Sequence, residues 1–130
     1  MAALSDYAEK LLLDFLMTSG AATRPTAWYV ALYTAAPNDA GGGTEVSGSG
    51  YSRQAVTFDA ATSGAGTTSN NIAVSFTAAG GSWGTITHIG IFDAATSGNL
   101  LWHGSLTASR TVNDGDSLLF SIGNIDLTMA

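Results

Sequence analysis

The sequence predicts a mainly β fold, an antiparallel β-sandwich or jelly-roll-like barrel with one N-terminal amphipathic helix. Three observations predict it. Ile86–Leu106 reads as two apolar, strand-forming runs joined by the small-residue loop DAATSGN, the pattern of a β-hairpin. Before Pro25 the apolar residues recur at helical spacing, and after it the period changes to that of strands. The remaining apolar runs are short and separated by Gly, Ser, Thr and Asn, with no alternation of helices and strands that would signal a parallel sheet.

The helix is expected over residues 5–18. Leu4, Tyr7, Ala8, Leu11, Leu12, Phe15 and Leu16 follow the i, i+3, i+4 rule. Ser5 is placed to cap its start, and Gly20 stands as a stop signal. Asp6–Lys10 and Lys10–Asp14 are i,i+4 pairs on the wet side. Leu13 and Met17 widen the apolar stripe beyond what one contact surface needs; the helix is expected to cover an open end or face of the β-structure, the alternative being a helix that also docks on another subunit.

The β-domain is expected over residues 27–130, forming one domain with the helix. Trp28–Thr34 is almost continuously apolar and reads as a central strand buried on both faces. Ala35–Gly50 is glycine-rich and long for a connection in a compact domain, which marks it as an interaction arm (35–50). Tyr51–Phe58 and Asn71–Thr77 follow as strands, the latter with Ile72, Val74 and Phe76 pointing one way. After the hairpin, Val112, Leu118–Ile122 and Ile125–Met129 supply the last strands, with Asn113–Asp116 as a tight turn. FDAATSG occurs twice, at Phe58–Gly64 and Phe92–Gly98, as similar strand-to-loop exits without similarity in the flanking strands.

Composition excludes several classes of function. Hydrophobic residues make up 45% of the 130, enough for one core, and charged residues only 11%. So low a charge leaves the surface to Ser, Thr, Asn and Gly or to neighbouring subunits. Lys10, Arg24, Arg53 and Arg110 are scattered against ten carboxylates, for a net charge of −6, so direct nucleic-acid binding is not expected. No cysteine is present, which removes disulfides and thiolate metal sites. The longest apolar run near the N-terminus, Leu11–Met17, is interrupted by Asp14 and preceded by Asp6 and Glu9, so no signal peptide is expected. No run approaches the ~18–20 apolar residues of a membrane-spanning helix, so no membrane insertion is expected, and synthesis in the cytoplasm without processing is.

No catalytic, metal-binding or cofactor constellation emerges. Gly48-Ser49-Gly50 lacks the strand–turn–helix setting of a nucleophile elbow. Gly80-Gly81-Ser82-Trp83-Gly84 leads into a strand and lacks a phosphate-binding lysine. Asp114 and Asp116 sit in a turn, where carboxylates bond to nearby backbone, and two fall short of a calcium-ligand series. If Phe92 pairs with Leu100, His88 lies opposite Gly104 and His103 opposite Ile89, putting the imidazoles on opposite faces. Trp28, Trp83 and Trp102 are core candidates that also suit a carbohydrate platform. Among them Trp83, flanked by glycines, is expected to face a partner.

The blocks LSDYAEKLLLDFL, WYVALYTAAPNDAGGGTEVSGSGYSRQAVTF and SWGTITHIGIFDAATSGNLLWHGSLTASRTVNDGD resemble short virion structural proteins of tailed bacteriophages. TEVSGSGYSRQAVTF and WGTITHIGIFD are the specific parts. The resemblance covers nearly the whole chain and implies a non-enzymatic particle protein, of the head-decoration (cement) or the tail-fibre and minor-tail kind. It carries over no catalytic residue. The expectation is a capsid decoration protein on the outer head shell, the alternative a tail-fibre or tail-tip component that attaches to the host surface. The partners expected are the major capsid protein or tail proteins of the same virion, and copies of the chain itself. The expected assembly contacts are Leu4, Tyr7, Leu11, Pro37, Asn38, Glu45, Val46, Tyr51 and Trp83.

Overall fold

The computed structural model describes residues 2–62, 64 and 66–129; Ser63, within the first FDAATSG copy, lies outside the described residues. The chain opens with a short strand β1 (Ala2–Leu4) and the helix α1 (Asp6–Met17). The sheet strands are β2 (Trp28–Ala35), β3 (Thr44–Glu45), β4 (Gln54–Val56), β5 (Thr67–Ser69), β6 (Val74–Thr77), β7 (Gly84–Phe92), β8 (Leu100–Val112), β9 (Ser117–Phe120) and β10 (Asp126–Thr128).

Six of them form one antiparallel sheet in the order β1-β8-β7-β2-β3, with β4 also pairing with β2. Two antiparallel ribbons, β6-β9 and β5-β10, pack against one face of that sheet in a sandwich-like arrangement. The core lies between these layers. Val30, Leu32, Ile86, Ile91 and Val56 come from the sheet, and Val74, Phe76, Leu118, Phe120 and Leu127 from the ribbons. Alternation along each strand brings them together, since residues two apart share a face. Strand β2 is buried on both faces as its sequence predicts, because Ala31 and Tyr33 meet Phe92 and Leu100 in a smaller cluster behind the sheet.

Ser5 caps the helix: its side chain accepts a hydrogen bond from the Ala8 amide at 3.1 Å and donates to the Leu100 carbonyl, while its own amide reaches Leu101 O at 2.9 Å. This ties the first turn to β8, and Ala8 is buried there. The helix ends earlier than Gly20 predicts. Thr18 is extended (φ −126°, ψ 163°), and its hydroxyl donates to the Asp14 carbonyl at 2.8 Å, which closes the last turn without a left-handed glycine. Beyond Leu11 and Leu12 the helix leaves the body. Leu13, Phe15, Leu16 and Met17 are 61%, 69%, 68% and 76% exposed.

The hairpin closes where the sequence places it, with Phe92 opposite Leu100. A bulge at Leu101 then shifts the register by one, so that Ile91 pairs with Trp102, Gly90 with His103 and His88 with Ser105. This corrects the expected separation of the histidines. Paired residues share a face, and His88 and Gly90 are two apart, so both imidazoles project from the same side of the sheet. Gly90 is required there: a Cβ would come within 2.9 Å of Leu100 Cδ1 and 3.1 Å of Tyr33 Cε1.

Segment 35–50 is held by the chain itself rather than projecting as a free arm. Asn38 and Gly41 exchange backbone hydrogen bonds, β3 pairs with the end of β2, and Val46 enters the core. Gly43 (φ +73°) permits the fold-back, since a Cβ would meet the Ala35 carbonyl at 2.7 Å. The Asn113–Asp116 turn forms as expected. Asp116 accepts from the Asn113 amide at 3.0 Å and Asp114 from the Gly80 amide at 3.0 Å, so both carboxylates serve the backbone.

Candidate functional site

The face of the sheet opposite the main core carries a cleft of about 570 Å³. Tyr33 and Phe92 line its floor; the start of α1 (Asp6, Tyr7), the loop Asp39–Gly43 and residues Gly98–Leu100 form its rim. Its organising element is Arg53. The guanidinium meets Glu45 with two parallel bonds, Nε to Oε2 and Nη2 to Oε1, each 2.8 Å. Nη1 donates to the Ala94 and Ser97 carbonyls at 3.0 and 2.7 Å, and the group lies 3.6 Å above the Phe92 ring. One side chain thereby joins β3, the approach to β4 and the hairpin loop.

Tyr51 completes the network. Strand β2 has an edge gap between β3 and β4, and there the Leu32 amide donates to the Tyr51 hydroxyl at 3.0 Å. That hydroxyl in turn donates to Glu45 Oε2 at 2.7 Å. The phenol thus stands in for a missing ladder partner. Its ring stacks on Phe76 at 6.2 Å and meets Trp83 edge-on at 5.5 Å. On the other side of the cleft His103 Nε2 donates to Asp39 Oδ1 at 2.7 Å, and the Asp39 carbonyl accepts from the Asp6 amide at 2.9 Å, fastening the glycine-rich loop to β8 and α1.

The charges behave accordingly. Burial pushes the Glu45 carboxyl up, but the hydrogen bonds from Arg53 and Tyr51, with the Arg53 charge, outweigh it and hold the group below its ordinary 4.5. The same bond to Glu45 raises Arg53 against its partial burial. Burial, then the Glu45 charge, pushes Tyr33 up to about 12; burial and the hydrogen bond to Glu45 push Tyr51 up as well.

A pH profile follows from the signs. The unfolded chain protonates Glu45 at its ordinary value, so its contribution is full above about pH 5 and is lost as pH falls through the lower folded value. The tyrosines act oppositely. Their contribution is full below their ordinary 10.0 and is lost as pH rises through the raised folded values. Thermal melts followed by circular dichroism should show a plateau with falling limbs on both sides. Glu45→Gln should flatten the acid limb and Tyr51→Phe the alkaline one, measured against the wild-type chain; parallel profiles would show that this cluster does not set them.

The expected contact residues do not form one surface. Leu4, paired with Trp102 on β8, and Leu11 on α1 are half-buried, and Tyr7 is 41% exposed at the cleft rim. Pro37 is buried and Asn38 exposed in the fold-back loop. Glu45 and Tyr51 meet in the Arg53 network, and Val46 lies in the core. Trp83 corrects the expectation of an outward-facing ring: it is 7% exposed, packed against Tyr51 and Phe76, with its indole N–H donated to the Ser49 carbonyl at 3.0 Å. Its flanking glycines turn the backbone and do not lift the ring out. Arg53, Asp39 and His103 escape a reading by spacing, because their partners come from distant segments. Among the described residues no group of three His, Asp or Glu side chains is arranged to hold a metal.

Chemically, this face is a scaffold whose charged groups are matched to one another. A protein-family profile described as "Podophage GP4 fiber I protein gp80" matches residues 3–128. The chain belongs to this family. It is a structural protein of the bacteriophage virion, and the match spans the helix, the Glu45–Arg53 block and the hairpin alike. No curated protein matches the chain.

Proposed function

We propose that this chain is a tail-fibre component of a podophage particle, acting in attachment to the host surface and joined to neighbouring tail proteins and to copies of itself. The observation that carries the reading is the fibre-family match over residues 3–128, which favours the tail over the outer head shell. The surface supports a role in assembly. Leu13, Phe15, Leu16 and Met17 make the free end of α1 apolar nearly all round, and such a helix is normally covered. Leu11 and Tyr7 continue this element towards the cleft rim. With charged residues at 11%, few ions need to be stripped of water on docking. No helix among the described residues is long and apolar enough to cross a membrane.

Copy number per purified particle, measured by quantitative mass spectrometry against the major capsid protein, tests the reading. A few to a few dozen copies are expected. Hundreds of copies would overturn it in favour of head decoration.

A further inference from the structure

The cleft of about 570 Å³ behind the main sheet holds polar groups that the Arg53 network leaves over. Tyr33 is the first. It is 4% exposed and lines the floor, yet among the described residues nothing hydrogen-bonds its hydroxyl. Every described side-chain polar atom fully shut from solvent has a partner, so this oxygen keeps its small exposure at the cleft. Gly90 shows where the ring lies: a Cβ there would stand 3.1 Å from Tyr33 Cε1. His103 on β8 is paired with Gly90 and therefore projects from the same face, where Nε2 donates to Asp39 Oδ1 at 2.7 Å. Among the described residues no donor reaches Asp39 Oδ2. Asp6 stands next to it on the rim, its amide bonded to the Asp39 carbonyl at 2.9 Å. The free phenol and the free carboxylate oxygen thus border the space above Gly90.

We propose that this cleft binds an organic cation rich in N–H donors, the guanidinium or ammonium head of an arginine or lysine side chain or of a free polyamine. Asp6, Asp39 and Glu45 line it against Arg53 alone, an excess of two negative charges. A guanidinium carries five donors, an ammonium three, and neither has an acceptor, so one head can serve the phenol oxygen and a carboxylate together. Its aliphatic stem meets apolar surface at Phe92 and Leu100. An anion would face the excess negative charge, because Arg53 is already held by Glu45 and by the Ala94 and Ser97 carbonyls. An apolar ligand would strip water from the Tyr33 hydroxyl and from Asp39 without replacing its hydrogen bonds. The volume falls within the roughly 300–1,000 Å³ of ligand sites. Use of the cleft to seat a basic side chain of a neighbouring tail protein rests on the tail-fibre reading; the binding itself does not.

An NMR titration of the isotopically labelled full chain tests it. The probes are Nα-acetyl-arginine methylamide and its lysine counterpart, with putrescine as a free amine. The citrulline counterpart serves as the neutral isostere and the glutamate counterpart as the anion. At millimolar concentration the arginine or lysine probe should shift the amides of Asp39, Gly43 and Asn99, while citrulline and glutamate leave them in place. Asp39→Asn keeps an oxygen for His103 but removes the charge, and should weaken binding about tenfold. Tyr33→Phe removes one acceptor and keeps the ring, and should weaken it about three- to tenfold. Asp39 is 54% exposed, so its variant keeps the test decisive if the one at buried Tyr33 unfolds. Tighter binding of the capped residues than of putrescine would point to a protein partner, and equal or tighter binding of putrescine to a free amine; both uphold the cation site. No shift with any cation, equal shifts with citrulline, or undiminished binding by Asp39→Asn would overturn it. A particle count in the hundreds would overturn the fibre placement and leave a cation-binding result standing; a tail count without cation binding would do the reverse.

Discussion

Arg53→Ala is expected to destabilise the fold by about 3–5 kcal/mol, the range seen when one partner of a buried ion pair is removed. The Arg53 side chain is 9% exposed and that of Glu45 25%, so truncation leaves a carboxylate partly shut away from water with only the Tyr51 hydroxyl to bond it. The Ala94 and Ser97 carbonyls lose their donor, and the Phe92 ring loses the planar group above it. For a chain of this length the midpoint of a thermal melt should fall by roughly 10–20 °C. Arg53→Lys should recover little, since an ammonium cannot form the paired bonds to Glu45 and also reach two carbonyls in the same plane. The double variant Glu45→Gln/Arg53→Leu should be less destabilised than Arg53→Ala alone, because no unpaired charge remains. Equal losses in the single and double variants would show that packing on Phe92, not charge, sets the cost. The pH profile provides a second check, since the acid limb should vanish with the pair.

How far the sequence reveals this molecule depends on how local each feature is. The helix start is plain because Ser5 acts within one turn, and the hairpin closure at Phe92–Leu100 is plain because the loop between them is short and polar. Strand β2 declares its two-sided burial through its unbroken apolar run. The bulge at Leu101 is silent: nothing in the residue types marks where one extra residue is absorbed, yet it moves His103 to the face that carries His88. The fold of segment 35–50 is silent for a different reason. Its glycines announce freedom, but the constraint comes from Arg53 and His103, which lie outside the segment. Strands as short as β1, β3 and β5 carry too few residues to show a period. Ile72 illustrates the boundary problem. It continues the Val74–Phe76 alternation in sequence, but β6 begins at Val74 and Ile72 is 41% exposed. The apolar excess on α1 is visible in the sequence as Leu13 and Met17 outside the stripe.

Phe76→Ala is expected to cost about 3–5 kcal/mol, a large share of the 5–15 kcal/mol that holds a typical domain together. Phe76 is 1% exposed and sits at the centre of an aromatic group, with Tyr51 stacked at 6.2 Å and Phe120 and Trp83 edge-on at 6.3 and 6.5 Å. Its removal opens a cavity walled by three rings, two of which are held in place by hydrogen bonds, Tyr51 to Leu32 and Glu45 and Trp83 to Ser49, so collapse is limited. The position of Phe76 in the topology makes the loss local in a readable way. The β6-β9 ribbon shares no strand ladder with the main sheet. An isolated two-stranded ribbon is marginal in water, and this one is retained chiefly by burying Val74, Phe76, Leu118 and Phe120. Native-state hydrogen exchange on Phe76→Ala should therefore show amides of β6 and β9 losing protection first, while β7 and β8, paired along their length, keep theirs until global unfolding. Phe76→Leu should restore much of the protection by refilling part of the cavity. Uniform loss of protection across both layers would instead mean that ribbon and sheet unfold as one unit, with the side-chain interface as strong as the ladder itself.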